Sequence, residues 1–254
     1  IGTFNPAITG PNAMSITLSN DSASSTLYAV VNDLGSGIVW AGTNSAAATT
    51  NVWDVNTTLN WLALGNPAVY QETTPPGDAV TFNDSGTGLV LLSNTVNPLN
   101  LIISNNAVAY AFNGSGHVSG TMNLTKLGAG TATMNYVGNN YTGSTVVSNG
   151  TLKISGGQAI GDASAVVLAD VATASLVVTN GETIGSLAGG GSTGGNVVIN
   201  GGTLTTGGNG NSTTFAGSRS GTGGLVHVGP GTLVLSRANN TYSGDTGIGI
   251  SAGP

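Results

Sequence analysis

One stretch repeats. Leu127 to Ser155 reads LGAGTATMNYVGNNYTGSTVVSNGTLKIS, and its opening half returns about one hundred residues later as VGPGTLVLSRANNTYSGDT, Val228 to Thr246. Gly128, Gly130, Thr131, Asn139, Tyr141, Gly143 and Thr145 recur as Gly229, Gly231, Thr232, Asn240, Tyr242, Gly244 and Thr246. Spaced self-similarity of this kind marks a chain built by stacking supersecondary units, each burying its apolar face on the next. Glycines mark the turns and short Val/Leu/Thr runs fill the intervals. Nothing in the stretch looks catalytic.

The rest of the chain shares this grammar. LVLLSNTV, NLIISNNAVAY, VVSNGTLKI, VVLADVATASLVVTNGETI and VVINGGTL each run apolar, stop at a polar pair such as Asn-Gly or Asn-Asn, and start again. Asn-Gly between apolar runs is a strong signal for a tight antiparallel hairpin, because a type I′ turn needs positive φ at both central residues. Asn and Gly in the left-handed region also turn the corner between successive strands of a β-solenoid. Runs such as LIIS and VVLA are apolar at neighbouring positions, as in strands with little solvated face, and together with the repeats they favour the solenoid. Helical bundles are excluded. With 42 glycines and charged residues at only 6%, the polar positions fall to Ser, Thr and Asn, which compete for helix backbone bonds.

Three regions follow. Residues 1–37 form an N-terminal extended segment with Pro6, Pro11 and two alternating stretches, SITLS and STLYAVV, that read as strands whose partners the sequence does not reveal and that could be exchanged between molecules. Residues 38–112 are a lead-in and first coils. They hold all three tryptophans, Trp40, Trp53 and Trp61, read as an apolar lid with core packing preferred over a sugar-stacking platform. Gly65 to Gly77, with Pro67, Pro75 and Pro76, reads as a surface loop. Residues 113–254 are the repeat-containing solenoid. Roughly ten coils of twenty-odd residues would make a rod about 50 Å long.

Searching for chemistry yields absences. His117 and His227 lack ligand spacing, and His227 stands where the first copy has Lys126, so that repeat position is expected on a solvated face. Asp78 with Asp84 and Asp162 with Asp170 are the nearest spaced acids, each in turn-like text, and a capping role is expected rather than glycoside hydrolysis. No G-x-S-x-G elbow, phosphate loop or calcium nonapeptide is present. Sequons at Asn56, Asn83, Asn113 and Asn211 arise by chance in a chain this rich in Asn, Ser and Thr. The expected catalytic, cofactor-binding and metal residues are none, with no cofactor. A formal net charge of -6, with four scattered bases, argues against nucleic acid. Zero cysteines excludes a disulfide scaffold and thiolate metal sites. No apolar run of about twenty residues is present, and Ile1 in place of Met indicates a processed or excised piece.

The pattern G-x-G-T-L-x-L-S, then N-T-Y-x-G-x-T, then x-x-G-T-L, resembles the autotransporter-associated β-strand repeat of bacterial surface proteins. GPGTLVLSRANNTYSGDT from Gly229 is the closer copy; the first has Ala132 for the usual Leu. IVWAG, NVWDVNTTLNWL and GDAVTFNDSG resemble the segment that leads into such repeats, so the likeness covers Ile38 to Gly253. The resemblance implies an all-β, right-handed parallel β-helix with an N-terminal capping region, exported to the surface of a Gram-negative bacterium. The second copy stops short of its closing x-x-G-T-L and no membrane-barrel segment follows, departures that put transport in cis in question. The functional expectation is a non-enzymatic, extracellular structural protein, with itself as partner in a head-to-tail homopolymer forming a surface filament. The alternatives are an adhesin binding surface glycans and a β-helix carbohydrate-active enzyme.

Overall fold

Apolar strands broken by left-handed corners produce a solenoid rather than a meander. The computed structural model describes residues 14–21, 26–33, 37–72, 75–135, 138–238 and 240–249. Each turn of the chain lays strands on three faces in a fixed order. The first face carries Val80–Asn83, Asn100–Ser104, Asn123–Leu127, Thr145–Val147, Ala165–Leu168, Ser186–Gly189, Thr213–Phe215 and Leu233–Leu235, all in parallel register. The second carries Leu89–Leu92, Tyr110–Gly114, Thr131–Met134, Thr151–Gly157, Ser175–Thr183, Asn196–Asn200 and Arg219–Gly221. The third begins as single bridges, Val96 to Val118, and becomes a ladder in which Glu182, Leu204, Leu225 and Thr246 stack one above another.

Ile38–Trp40 continues this face beneath Val80–Asn83, also in parallel, so nine stacked strands mark eight turns. The sequence estimate of ten was too high because the chain between Trp53 and Val80 makes a hairpin rather than a coil. Trp61–Ala63 pairs antiparallel with Ile38–Trp40 and with Asn66–Ala68. Its two-residue turn, Leu64 (φ 50) and Gly65 (φ 83), has the positive φ pair of a type I′ turn. Pro67 thus lies in a strand, not in the loop expected for Gly65 to Gly77. That strand closes the edge of its sheet, where a residue lacking an N–H is tolerated. The two N-terminal stretches, Met14–Asp21 and Thr26–Asp33, pair with each other. Helix is limited, among the described residues, to a 3-10 turn at Gly42–Asn44.

Strand alternation fills the rod. Inward columns of Val, Leu and Ile from the first two faces, such as Val80, Leu101, Leu124, Val166 and Leu187, are completely covered. The N-terminal end is filled by aromatics instead. Trp40, Trp53, Trp61, Tyr70, Phe82, Tyr110 and Phe112 pack with ring centroids 4.8–6.2 Å apart, largely edge to face. All three tryptophans have zero exposure, so core packing holds and a sugar platform built on them does not.

The two sequence copies do not lie above one another. Asn123–Leu127 opens the first copy on the first face, whereas Gly224–His227 opens the second on the third face, and every later strand of that copy is displaced by one face likewise. Leu124 to Leu225 therefore spans four turns and two further faces. The repeat is a unit of coil-to-coil contact that works on any face.

Candidate functional site

The polar residues of the repeat signature face the neighbouring coils. Asn139 is buried, and its Oδ1 accepts from the Val118 backbone N–H (2.7 Å) one coil below, while its Nδ2 donates to the Ala159 carbonyl (2.7 Å) one coil above. Tyr141 and Thr145 share a hydroxyl hydrogen bond of 2.8 Å, and Thr145 passes it on to Ser164 of the next coil at 3.0 Å. Gly143 cannot carry a side chain, because its Cβ would lie 2.0 Å from the Met122 carbonyl oxygen below. The second copy repeats three of these contacts on its own face, while Asn240 Nδ2 donates to the Arg237 carbonyl of its own coil (2.6 Å). Asn240 accepts from Arg219 N (3.2 Å), Tyr242 bonds Thr246, and a Cβ on Gly244 would meet the Gly223 backbone at 2.3 Å.

Lys126 and His227 are not solvated, contrary to expectation. Lys126 has no exposure, and its Nζ donates to the carbonyls of Leu127 (2.6 Å), Gly128 (2.8 Å) and Asn149 (3.3 Å), tying one corner to the next. Desolvation drives its pKa down to about 8. His227 is half-buried, with Nε2 on the Gly231 carbonyl at 2.8 Å. Both positions share strand parity with inward leucines, Leu124 and Leu225, and that parity was the available signal. Two other inward charges were missed. Glu182 accepts from Ala159 N (3.2 Å) and Ile160 N (3.0 Å), and burial lifts its pKa to about 7. Arg219 lies over the Phe215 ring at 5.7 Å, with Nε and Nη1 buried and unpaired.

Three of the four singled-out acids serve the backbone. Asp84 accepts from Asn106, Ala107 and Val108 N–H groups at 2.9–3.0 Å, which hold it below the usual carboxylate range, the Val108 bond foremost. Asp170 caps Thr193 and Gly194 at 2.8 Å, and Asp78 caps Gln71 at 2.8 Å. Asp162 lies exposed at a corner, with its pKa raised by desolvation. Asp78 and Asp84 flank the strand Val80–Asn83, and Asp162 and Asp170 flank Ala165–Leu168, so each pair is separated by roughly 13 Å of strand or more. That exceeds the separation at which paired carboxylates cleave a glycoside. The His117 ring lies 3.3 Å from Thr95 Oγ1, and its backbone carbonyl accepts from Val96 N (3.0 Å). Among the described residues no three metal-ligating side chains gather, and no helix is long and apolar enough to cross a membrane.

Comparison with known proteins agrees with this geometry. Residues 124–154 and 225–253 match the passenger-associated-transport-repeat family, so the chain carries two copies of that repeat. Over 136 residues, 53% of this chain, it is 41% identical to the Adhesin BmaC autotransporter of Brucella suis biovar 1 (strain 1330). That alignment covers 4% of the relative, so the chain spans a small part of its length. No solved structure matches the chain.

Proposed function

We propose that this chain is a non-enzymatic segment of an extracellular passenger, a rod displayed on the surface of a Gram-negative bacterium whose work is structural and adhesive. The observation that carries the reading is the use of polar chemistry. Asn139, Tyr141, Thr145, Lys126, Glu182, Asp84 and Asp170 all spend their hydrogen bonds on the stacked coils, on backbone groups or on hydroxyls of the same or neighbouring coils. A β-solenoid passenger repeat and similarity to an autotransporter adhesin support export and display. The test is antibody labelling and protease shaving of intact cells producing the full precursor with an epitope at the exposed turn Leu64-Gly65. Labelling of intact cells supports the reading, and an epitope reached only after lysis refutes it. Adhesion lost on deleting the segment would support the adhesive part.

A second reading is joined to the first: head-to-tail stacking of copies into a filament. Leu233, Leu235 and Tyr242 of the last described coil are only half-buried, whereas Leu187, Phe215 and Tyr141 in lower coils are fully covered. A further coil, from the same chain or a neighbour, would cover them. Electron microscopy of the purified chain tests this: filaments support it, and single short rods at high concentration oppose it. Strand exchange by the N-terminal segment draws no support from its backbone pairing, since Met14–Asp21 is satisfied by Thr26–Asp33.

A further inference from the structure

The first face presents a regular outward column. Thr81, Ile102, Thr125, Val146, Val167 and Ala188 stack in register, one per turn, each paired with the next; Thr214, one position before the Phe215 that pairs with Gly189, continues the column and pairs with Val234. Most are half-buried by their neighbours, and Val167 (38%) and Val234 (47%) are exposed. Beside this column lie Asn83, Ser104 and Leu127, again uncharged. No outward position in these eight strands carries a charge, because Lys126, their one ionisable residue, points inward. Acids flank the face instead, with Asp84 and Asp170 past one edge and Asp78 and Asp162 before the other. The second face differs. Its outward column, Thr133, Lys153, Val177 and Val198, has an exposed lysine at its centre.

We propose that the first face is a lateral self-association surface, on which a second copy of this chain packs sheet to sheet. The occupant follows from charge and spacing. Two molecules of net charge -6 repel each other except where a long surface is free of charge, and this face is such a surface. Its side chains repeat at the strand spacing of about 4.8 Å, a periodicity that another stack of coils matches and an irregular globular partner does not. Eight strands at that spacing, each with about four residues, make a plane of roughly 40 by 13 Å. Both partners together would bury on the order of 1,000 Å², the low edge of specific interfaces. Each pairwise contact is therefore weak, with Kd above about 1 μM, and it gains strength where many rods stand side by side on one surface. Salt strengthens the contact, since it screens the repulsion between the acidic edges while leaving the uncharged column untouched.

Sedimentation equilibrium on the whole chain, from micromolar to millimolar concentration at low and high salt, tests the proposal. Reversible association is expected, weakened at least about tenfold by Val146→Lys and left unchanged by Val198→Lys on the second face or by Ile248→Asp at the last described coil. Melting temperature and circular dichroism show whether each variant folds, and Val167→Lys, at a more exposed site, replaces Val146→Lys if that chain does not. A monomer across the range overturns the proposal, as does association that Val146→Lys leaves intact. Loss on Ile248→Asp alone would place the contact at the end of the rod and also overturn it.

Discussion

Replacing Lys126 by Met isolates the energetics of an interior charge. The lysine's folded pKa of about 8 lies below its ordinary value of 10.5, a depression that desolvation causes and the Asp84 charge partly offsets. A depressed folded pKa means that the group's contribution to stability is fully present above 10.5 and is lost as pH falls through 8. Two and a half pKa units correspond to about 3.4 kcal/mol, and the amine's place at a corner rather than on the rod axis reduces this to about 2–3 kcal/mol. Met keeps the stem's volume and removes the charge, but strips a donor from the carbonyls of Leu127, Gly128 and Asn149, at a cost on the order of 1–3 kcal/mol. At pH 7 these effects nearly cancel, so one melting curve there would show little. The pH slope discriminates. Urea unfolding at pH 7, 8.5 and 10 should show wild type gaining about 2–3 kcal/mol relative to Lys126→Met across that range. Parallel stability curves for the two proteins would refute the reasoning. Glu182 acts oppositely in both and cancels in the difference. Its raised pKa of about 7 gives stability that is full below 4.5 and fades as pH rises through 7.

Three further outcomes are expected. Asn139→Ala should cost about 2–4 kcal/mol by denaturant unfolding, because it orphans the Val118 N–H and the Ala159 carbonyl, while Asn240→Ala in the less covered last coil costs less. Gly143→Ala should destabilise strongly through its clash with the Met122 carbonyl, and Gly150→Val through positive φ (68°) as well as contact with two carbonyls, both read from melting temperature. Tryptophan emission should be blue-shifted and resist iodide quenching in the native state, since all three indoles are covered; ready quenching would reopen the aromatic surface as a binding site.

Corners were the most legible part of the sequence. Gly150 and Gly201, each after an Asn, take φ of 68° and 81°, and the strands between such corners fall where apolar runs stood. Turn number was misjudged because a hairpin and a coil use the same turn chemistry: Leu64-Gly65 reverses the chain, whereas Asn149-Gly150 carries it to the next face. The one-face displacement of the second copy was hidden for a related reason. Turns between the two copies vary in length, from steps like Val80 to Leu101 in most of the rod to the longer Gly189 to Phe215, and this variation accumulates into a change of face that aligned motifs do not reveal. Inward charges escaped because Lys126 and His227 were judged by residue type and Glu182 was not considered. Strand parity with Leu124 would have placed Lys126 inside. The capping acids were legible, since Asp beside Gly or Asn at a corner has backbone N–H groups to accept from.

A distance along the first face tests the stacked rod most directly. The chain has no cysteine, so Thr81→Cys and Val234→Cys place two spin labels on one outward column without competing sites. Seven coil steps of about 4.8 Å separate them by about 34 Å, and a Thr81→Cys, Val167→Cys pair, four steps apart, by about 19 Å. Pulsed dipolar spectroscopy should give two narrow distributions near these values, in a ratio close to seven to four. Broad distributions, or a longer pair no farther apart than the shorter one, would contradict a single continuous stack of eight turns.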